Sequence, residues 1–273
     1  MAGPELTRLP PVLVYHKVDT RFELGFTQVE PRVFRRQVEA LARAGYRAIG
    51  SGELRARLDG AASAPGPALV VTFDDGYAGL ARHAFPVLAD HGFRALVFVI
   101  TDYVGRENGW DVQYGWRRFA HLDWDELARW SERGIEVHSH GATHARLTWL
   151  PPSQAEEELV RSRDAIAARL GAAPVAVSYP FGAADAGVRA LARRAGYALG
   201  FGGPARTAGG VDPLALPRRP VYGWDARPVP LVLGTSALSG LGIGLARLTS
   251  RCAVGTAAIQ RALGRRYRSG GRG

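Results

Sequence analysis

Two adjacent carboxylates follow directly on a mostly apolar run of the sequence. Residues 68–76 read ALVVTFDDG, so Asp74 and Asp75 stand between this run and a glycine. An apolar run without alternation is typical of a strand covered on both faces in a parallel sheet, and such sheets carry their chemistry at the carboxyl ends of the strands. Two neighbouring carboxylates repel each other, so this site requires a cation, a shared proton or bulk water. A plain Asp-Asp-Gly turn is the alternative, because these residues are common turn formers.

A cluster of histidines offers the cation a binding site. His138, His140 and His144 fall within seven residues, in the segment HSHGATH, although the chain has seven histidines in all. His140 and His144 are four apart, which lets one helical turn or a tight loop direct both imidazoles at one point. Together with Asp75 they make a two-histidine, one-carboxylate set that suits zinc or another divalent transition metal. Such a metal also relieves the repulsion, because one aspartate can bind it while the other remains a base.

Strand patterns alternate with helix patterns along the chain, and they must position these groups. Asp123 with Glu126, and Ser153 with Glu156, have the spacing of capping boxes at helix starts. A strand followed by a helix, repeated six or more times, predicts parallel strands in a barrel or a wound sheet. The predicted strands are 12–15, 47–49, 68–73, 95–100, 135–137, 175–179 and 197–201, and the predicted helices are 32–44, 81–91, 123–133, 153–170 and 186–194.

Composition limits the kind of protein that this chain can form. At 273 residues and 47% hydrophobic content, it can bury a full core as one barrel-like α/β domain or as two smaller domains. The single cysteine, Cys252, excludes an internal disulfide and a cysteine zinc site, so a metal must use His and Asp or Glu side chains.

The net charge of +10 is distributed unevenly. From Arg218 to the end there are ten arginines and one acid, a net charge of +9, whereas residues 1–217 hold 25 basic and 24 acidic residues. A basic tail favours peripheral contact with anionic lipid or another polyanion, and solvated arginines are the simpler alternative. Nucleic acid is not expected as a partner, since no nucleic-acid motif accompanies the arginines.

Two segments bear on location. The first ten residues, MAGPELTRLP, lack a basic start followed by an apolar core, so no secretory signal is visible, and a cytoplasmic or membrane-peripheral location is expected. Residues 228–246 are uncharged and nominally long enough to span a membrane. Their many Gly, Ser and Thr residues favour a peripheral or packing helix instead. The oligomeric state is left open.

Three motifs, in this order, resemble those of polysaccharide deacetylases of the NodB-homology type, carbohydrate esterase family four. They are TFDDG at 72–76, SHGATH at 139–144 and YPFG at 179–182. The resemblance implies a distorted (β/α) barrel with about seven parallel strands over residues 1–222, followed by a basic extension at 223–273. It also implies a metal-dependent hydrolase that removes N-acetyl groups from an N-acetylhexosamine-containing glycan. The metal expected is zinc, with cobalt and nickel as alternatives.

The resemblance assigns roles to individual residues. Asp74 corresponds to the general base, and Asp75, His140 and His144 correspond to the metal ligands. The backbone N–H of Phe181 would help the metal to bind the oxyanion, a kind of contact typically worth about 3 kcal/mol.

The chain departs from the family pattern in three places. Gly141 stands where a Ser or Thr usually braces the loop after the first histidine ligand. Ser178 stands where an arginine usually holds the base, a function that Arg218 or Arg219 could take over. No histidine follows the second motif to serve as the catalytic acid. A branch that resembles poly-N-acetylglucosamine deacetylases takes this acid from an N-terminal Tyr-His pair, and His16 is the matching candidate here.

Substrate contacts and rival functions remain open. Tyr179, Trp110 and Arg218 are candidates for contact with the substrate, and Tyr103 and Trp116 could also stack on sugar rings in the long loop 101–122. The alternatives are a catalytically silent, sugar-binding scaffold barrel and a metal-dependent amidase that acts on a non-sugar amide.

Overall fold

Parallel strands form the framework of the molecule. The computed structural model describes residues 9–21, 27–61, 65–108, 118–202 and 211–221. Seven strands follow one another in one curled sheet, and the predicted distorted barrel with about seven parallel strands is confirmed. In the described residues the strands are β1 (Val12–Tyr15), β2 (Lys17–Val18), β3 (Gln28–Val29), β4 (Arg47–Ala48), β5 (Ala68–Phe73), β6 (Ala95–Val99), β7 (Ile135–Ser139), β8 (Ala176–Ser178), β9 (Leu199–Phe201) and β10 (Arg219–Pro220).

The order of the strands explains which chain segments meet. Along the curled sheet the order is β10-β1-β5-β6-β7-β8-β9, with β4 paired to the start of β5 and β2 paired to β3 separately. These pairings are all parallel. The carboxyl ends of β1, β5, β7 and β8 therefore lie at the same edge of the sheet.

Seven helices, in the described part of the chain, connect or flank these strands. The prediction of one helix over residues 81–91 is wrong, because the structure divides it at Ala84 into two short helices. Pro86 has no N–H to continue the first helix. The helices are α1 (Pro31–Arg43), α2 (Ser51–Leu58), α3 (Gly79–His83), α4 (Phe85–Asp90), α5 (Trp124–Ser131), α6 (Pro152–Leu170) and α7 (Ala186–Arg194).

One of the two predicted capping boxes is present. The Asp123 carboxylate accepts a hydrogen bond from the Glu126 N–H (2.7 Å), and the Glu126 carboxylate accepts one from the Asp123 N–H (3.1 Å). The second prediction is wrong, because α6 begins one residue before Ser153, at Pro152, and has no side-chain cap. A proline suits the first helical position, since its missing N–H would have no intrahelical partner there.

The two faces of the sheet bury different cores. In β5, Leu69, Val71 and Phe73 pack in a cluster with side chains of the surrounding helices. Ala68 and Val70, on the opposite face, pack in a second cluster with side chains from β1, β6, β8 and β9. Successive residues of a strand alternate between faces, so this second cluster lines the concave interior of the curled sheet.

Several predictions concern residues outside the described part of the chain. They are Trp110, Trp116, the uncharged segment 228–246 and the remainder of the basic extension 223–273. The predictions of substrate stacking and of membrane contact by these residues stay predictions. Among the helices that the structure describes, none combines the length and the apolar character needed to cross a membrane.

Candidate metal and catalytic site

Three predicted metal ligands converge at the carboxyl edge of the sheet. Asp75 follows β5, His140 follows β7, and His144 lies four residues further on in the same loop. One donor atom of each residue lies within 4.8 Å of the other two. The Oδ1 atom of Asp75 is 3.5 Å from Nε2 of His140 and 3.6 Å from Nε2 of His144. Two imidazole nitrogens and one carboxylate oxygen at this separation fit a divalent transition metal.

The orientation and charge of the histidines agree with metal binding. The Nδ1–H group of His140 donates a hydrogen bond to the backbone carbonyl of Ser178 (2.7 Å), which leaves Nε2 to face Asp75. Burial lowers the pKa of His140 and lowers that of His144 well below its usual value. Both rings are therefore neutral at neutral pH, and neutral imidazole is the form that binds a metal.

The third histidine of the cluster does not join the metal set. His138 lies within β7, where its Nε2 atom is 3.3 Å from the carboxylate of Glu136. Its ring also packs against Phe98 in the sheet interior, with 5.8 Å between the ring centroids. His138 therefore belongs to the interior of the curled sheet, below the edge where the ligands converge.

Unusual backbone conformations concentrate at the site. Among the described residues, the non-glycine residues with positive φ are Asp75 (68°), His144 (65°) and Phe181 (60°). Residues other than glycine rarely adopt this left-handed backbone conformation. Such strain is concentrated at functional sites, where the surrounding structure enforces it. The ring of Phe181 packs against that of His144, with 4.8 Å between the centroids. The strained turns therefore bring the first, second and third motifs together.

Arg218 holds the predicted base. Its Nη1 and Nη2 atoms donate to Oδ1 and Oδ2 of Asp74, at 2.7 Å each. Nη2 also donates to the hydroxyl of Ser178 (2.9 Å), the residue that replaces the family's usual arginine. Of the two arginines that could take over this function, Arg218 makes the contact. Because Asp74 and Ser178 bind the guanidinium group of Arg218, we assign Arg218 to holding Asp74 instead of to substrate contact.

Asp74 is ionised in this environment. Burial raises the pKa of its carboxyl group, but the charge and hydrogen bonds of Arg218 outweigh burial, so the pKa falls well below the usual range. A bidentate arginine–carboxylate pair fixes orientation as well as charge. Asp74 is therefore a carboxylate of defined orientation, and its Oδ2 atom is 3.9 Å from Nε2 of His140.

His16 differs from the charge state that a resting catalytic acid requires. It follows β1 at the same edge of the sheet. Burial lowers its pKa to about 4, although the carboxylate of Asp74 acts in the opposite direction. The role of His16 as the catalytic acid stays a prediction. His16 is neutral at neutral pH and can donate a proton only after it has received one.

The structure contradicts the assignment of the Tyr179 side chain to substrate contact. The side chain is 0% exposed and packs in the cluster between β8, α6 and α7. Burial raises the pKa of its hydroxyl group above the usual value. Tyr179 contributes to the core beneath the third motif.

Two residues near the ligands were missed from the sequence. The Nδ1–H group of His121 donates to the backbone carbonyl of Asp75 (2.7 Å), and its ring stacks on Tyr77. Glu158, on α6, is fully buried and contacts the loop of His140 and His144. The helical repeat of α6 offered a signal for Glu158, because this acid occupies a position of the buried stripe that includes Ala155, Leu159 and Ile166. His121 lies in a long loop without such a repeat.

Comparisons with known proteins find relatives of this chain. The model of the polysaccharide deacetylase family matches residues 61–200. Over 190 residues the chain is 25% identical to YxkH of Bacillus subtilis (strain 168), whose name places it among polysaccharide deacetylases. The match covers 70% of this chain and 63% of YxkH, so the chain spans somewhat less than two thirds of that relative.

Two solved structures share the fold. The Streptococcus pyogenes deacetylase PplD, solved in complex with acetate, has a TM-score of 0.72 and 21% identity, and the match covers 83% of this chain and 98% of PplD. IcaB from Ammonifex degensii has a TM-score of 0.66 and 26% identity, with 77% of this chain and 91% of IcaB covered.

Proposed function

Because the chain belongs to the polysaccharide deacetylase family, we propose that it is a metal-dependent hydrolase that removes N-acetyl groups from an N-acetylhexosamine-containing glycan and releases acetate. One observation carries this proposal. A complete set of metal donors, Asp75, His140 and His144, lies beside an ionised carboxylate that does not belong to the set. A binding module has no need of both, whereas hydrolysis of an amide needs an activated water and a group that takes its proton.

Asp75, His140 and His144 would hold the metal. Bound there, a divalent cation such as zinc supplies Lewis-acid chemistry, because it polarises an amide carbonyl and makes water acidic enough to lose a proton near neutral pH. The hydrogen bond from His140 to Ser178 fixes the ring so that Nε2 stays directed at this position.

The remaining residues handle protons and negative charge. Asp74, oriented by Arg218, accepts a proton from the attacking water. The backbone N–H of Phe181, in the strained turn after β8, donates to the oxygen on which negative charge develops. His16 is neutral at rest, so the proton that it passes to the departing amine would come from the attacking water by way of Asp74.

Membership of the polysaccharide deacetylase family supports the substrate class that we propose. PplD was solved with acetate, the acid that N-deacetylation releases. IcaB is similar to this chain over more than three quarters of its length. An N-acetylated glycan is therefore the substrate proposed here, with an N-acetylglucosamine oligomer as its simplest form.

Acetate release from N-acetylglucosamine oligomers tests the proposal. The purified chain would be assayed after chelation, and again after zinc, cobalt or nickel is restored, beside Asp74→Asn and the exposed control Asp90→Asn. We expect a restored metal to return activity to the wild type and to Asp90→Asn, and Asp74→Asn to remain inactive.

Two results would contradict parts of the proposal. Zinc bound without acetate release would indicate another amide as substrate. Acetate release by the chelated protein at the undiminished rate would exclude metal dependence.

A further inference from the structure

We propose that Glu158 is the positioning residue of the metal-binding loop, here defined as residues 140–144. The inference rests on the proposed metal dependence and adds a residue that none of the three motifs contains. Glu158 belongs to α6, 14 residues after His144, and it touches neither ligand in the hydrogen bonds that the structure shows for its carboxylate.

The Glu158 carboxylate is directed almost entirely at this loop. Its Oε2 atom accepts hydrogen bonds from the N–H groups of Ala142 (3.1 Å) and Thr143 (3.0 Å), and its Oε1 atom accepts one from the Thr143 hydroxyl (3.1 Å). Arg161, one turn along α6, donates to Oε1 at 3.5 Å. Three of these four contacts reach Ala142 and Thr143, two of the three residues that lie between the histidine ligands.

Burial gives these contacts their importance. Glu158 is 0% exposed, and a carboxylate is costly to bury unless it is paired and hydrogen-bonded. Here the compensating donors are the two loop amides, the Thr143 hydroxyl and the guanidinium of Arg161. The loop and the carboxylate therefore stabilise each other, and removal of either leaves buried polar groups of the other without a partner.

A second contact from α6 holds the beginning of the same loop. The Ser139 hydroxyl accepts a hydrogen bond from the N–H of Gly141 (3.1 Å), and this hydroxyl is 2.5 Å from the hydroxyl of Ser162. Ser162 lies four residues after Glu158 on α6, so both side chains belong to one face of the helix. The three amides between His140 and His144 are thus all fixed from α6, directly or through Ser139.

The backbone of the loop explains why it needs this support. Gly141 has φ 80° and His144 has φ 65°, and a left-handed conformation at a residue such as His144 persists only when its surroundings enforce it. Gly141 also replaces the Ser or Thr that the family resemblance predicts. A Cβ atom at Gly141 would lie 3.4 Å from Oε2 of Glu158, so the carboxylate occupies the space beside the glycine.

A second glutamate, the partly buried Glu136, serves as the control. The carboxylate of Glu136 accepts hydrogen bonds from the Ser51 N–H (2.9 Å), from Arg94 (2.9 Å) and from His138 (3.3 Å). It lies near the start of β7, four residues before His140, and it caps α2 instead of the metal-binding loop. Its loss should lower stability without releasing the loop.

The test compares Glu158→Gln with Glu136→Gln in the full chain. The zinc Kd would be measured by competition with a chromogenic chelator, and the exchange rates of the Ala142 and Thr143 amide protons would be measured before zinc is added. Glutamine keeps the size of glutamate, but it has one neutral acceptor oxygen in place of two charged ones. It cannot serve the two loop amides and the Thr143 hydroxyl together, and the hydrogen bonds that it keeps are weaker. We expect Glu158→Gln to raise the zinc Kd by about 10–100-fold and to accelerate exchange of both amides. Glu136→Gln should change the zinc Kd less than about twofold, although it lowers Tm.

An unchanged zinc Kd in Glu158→Gln would overturn the inference, and so would an equal loss of affinity in both variants. Should Glu158→Gln fail to fold, Thr143→Val removes one of the three loop contacts and should raise the zinc Kd several-fold, whereas no change would overturn the inference.

These readouts need no substrate. A wild-type chain that binds zinc but releases no acetate contradicts the proposed function and leaves the role of Glu158 to the zinc measurements. A wild-type chain that binds no zinc contradicts both.

Discussion

Asp74 depends on the guanidinium group of Arg218 for its charge and its orientation. Burial raises the pKa of its carboxyl group, and the charge of Arg218, the nearby His140 and the two 2.7 Å hydrogen bonds from Arg218 together reverse that effect. The same guanidinium binds Ser178, so one side chain connects the carboxyl end of β5 to that of β8. The base and the third motif therefore keep a fixed relation to each other.

Replacing Arg218 should separate catalysis from metal binding. Arg218→Met leaves Asp74 buried without its cation, and we expect kcat/KM for acetate release to fall by about 10–100-fold, as is typical when a supporting contact is lost. The zinc Kd should not rise, because removal of a nearby positive charge favours a bound cation. Acetate assays and zinc competition on one protein preparation measure both quantities.

Arg219→Met is the control, because Arg219 is the neighbouring arginine and is exposed on β10. The assignment fails if Arg218→Met retains full activity, or if Arg219→Met loses as much.

The N-termini of α5 and α6 are stabilised in different ways. The start of α5 is fixed by a reciprocal capping box, whereas α6, which carries Glu158, starts with a proline. Both segments contain the same type of pattern, Asp123 with Glu126 and Ser153 with Glu156. The difference follows from Pro152, which occupies the first position of α6. Ser153 therefore lies inside the helix and cannot be its N-cap.

The two patterns predict different costs of mutation. Asp123→Ala removes a cap that accepts the Glu126 N–H at 2.7 Å, and we expect it to lower the free energy of unfolding by about 1 kcal/mol. Ser153→Ala replaces an exposed residue inside α6, and its effect should stay within about 0.5 kcal/mol. Urea unfolding of both variants checks the difference. An equal loss of stability would mean that Ser153 also acts as a cap.

Sequence patterns predict the part of the site that lies at the ends of strands. Asp74, Asp75 and His140 each follow a short strand, and parallel strands bring their carboxyl ends together, so proximity follows from the alternation of elements. Glu158 acts through the packing of α6 against a loop, and no pattern within the loop indicates that contact. The choice between Arg218 and Arg219 depends on strand register, because adjacent residues of an extended chain point to opposite faces.

At the scale of the whole molecule, hydrogen-bonded carboxylates lie near both ends of the sheet, one fully buried and the other partly buried. Glu158 lies near the carboxyl edge, and Glu136 lies near the start of β7. Burial raises the pKa of Glu136, but hydrogen bonds from His138, Ser51 and Arg94 outweigh it and lower the pKa to about 2. A carboxylate whose pKa falls on folding stabilises the folded state only while it is ionised.

This shift predicts a pH dependence of stability. The contribution of Glu136 is fully present above its unfolded pKa of about 4.5, and it is lost as the pH falls through that value toward about 2. The side chain is 19% exposed, so we expect the pH-dependent part to be on the order of 1–3 kcal/mol. This contribution can be measured by urea unfolding of the wild type and of Glu136→Gln from pH 7 to pH 3, after a chelator has removed any bound metal. The difference in free energy of unfolding between the two proteins should be constant from pH 7 to pH 6 and should decrease at acid pH. A difference that stays constant throughout would contradict the assignment.

Zinc titration of the chelated chain, with acetate release followed at each addition, tests the account most directly. His140→Gln and His144→Gln remove donors that the structure brings together, and His138→Gln removes the neighbouring histidine that it leaves out. We expect one zinc per chain in the wild type and in His138→Gln, with activity rising in proportion to zinc up to one equivalent. The other two variants should bind zinc weakly and release little acetate. Zinc binding that survives His140→Gln, or acetate release independent of zinc, would contradict the account.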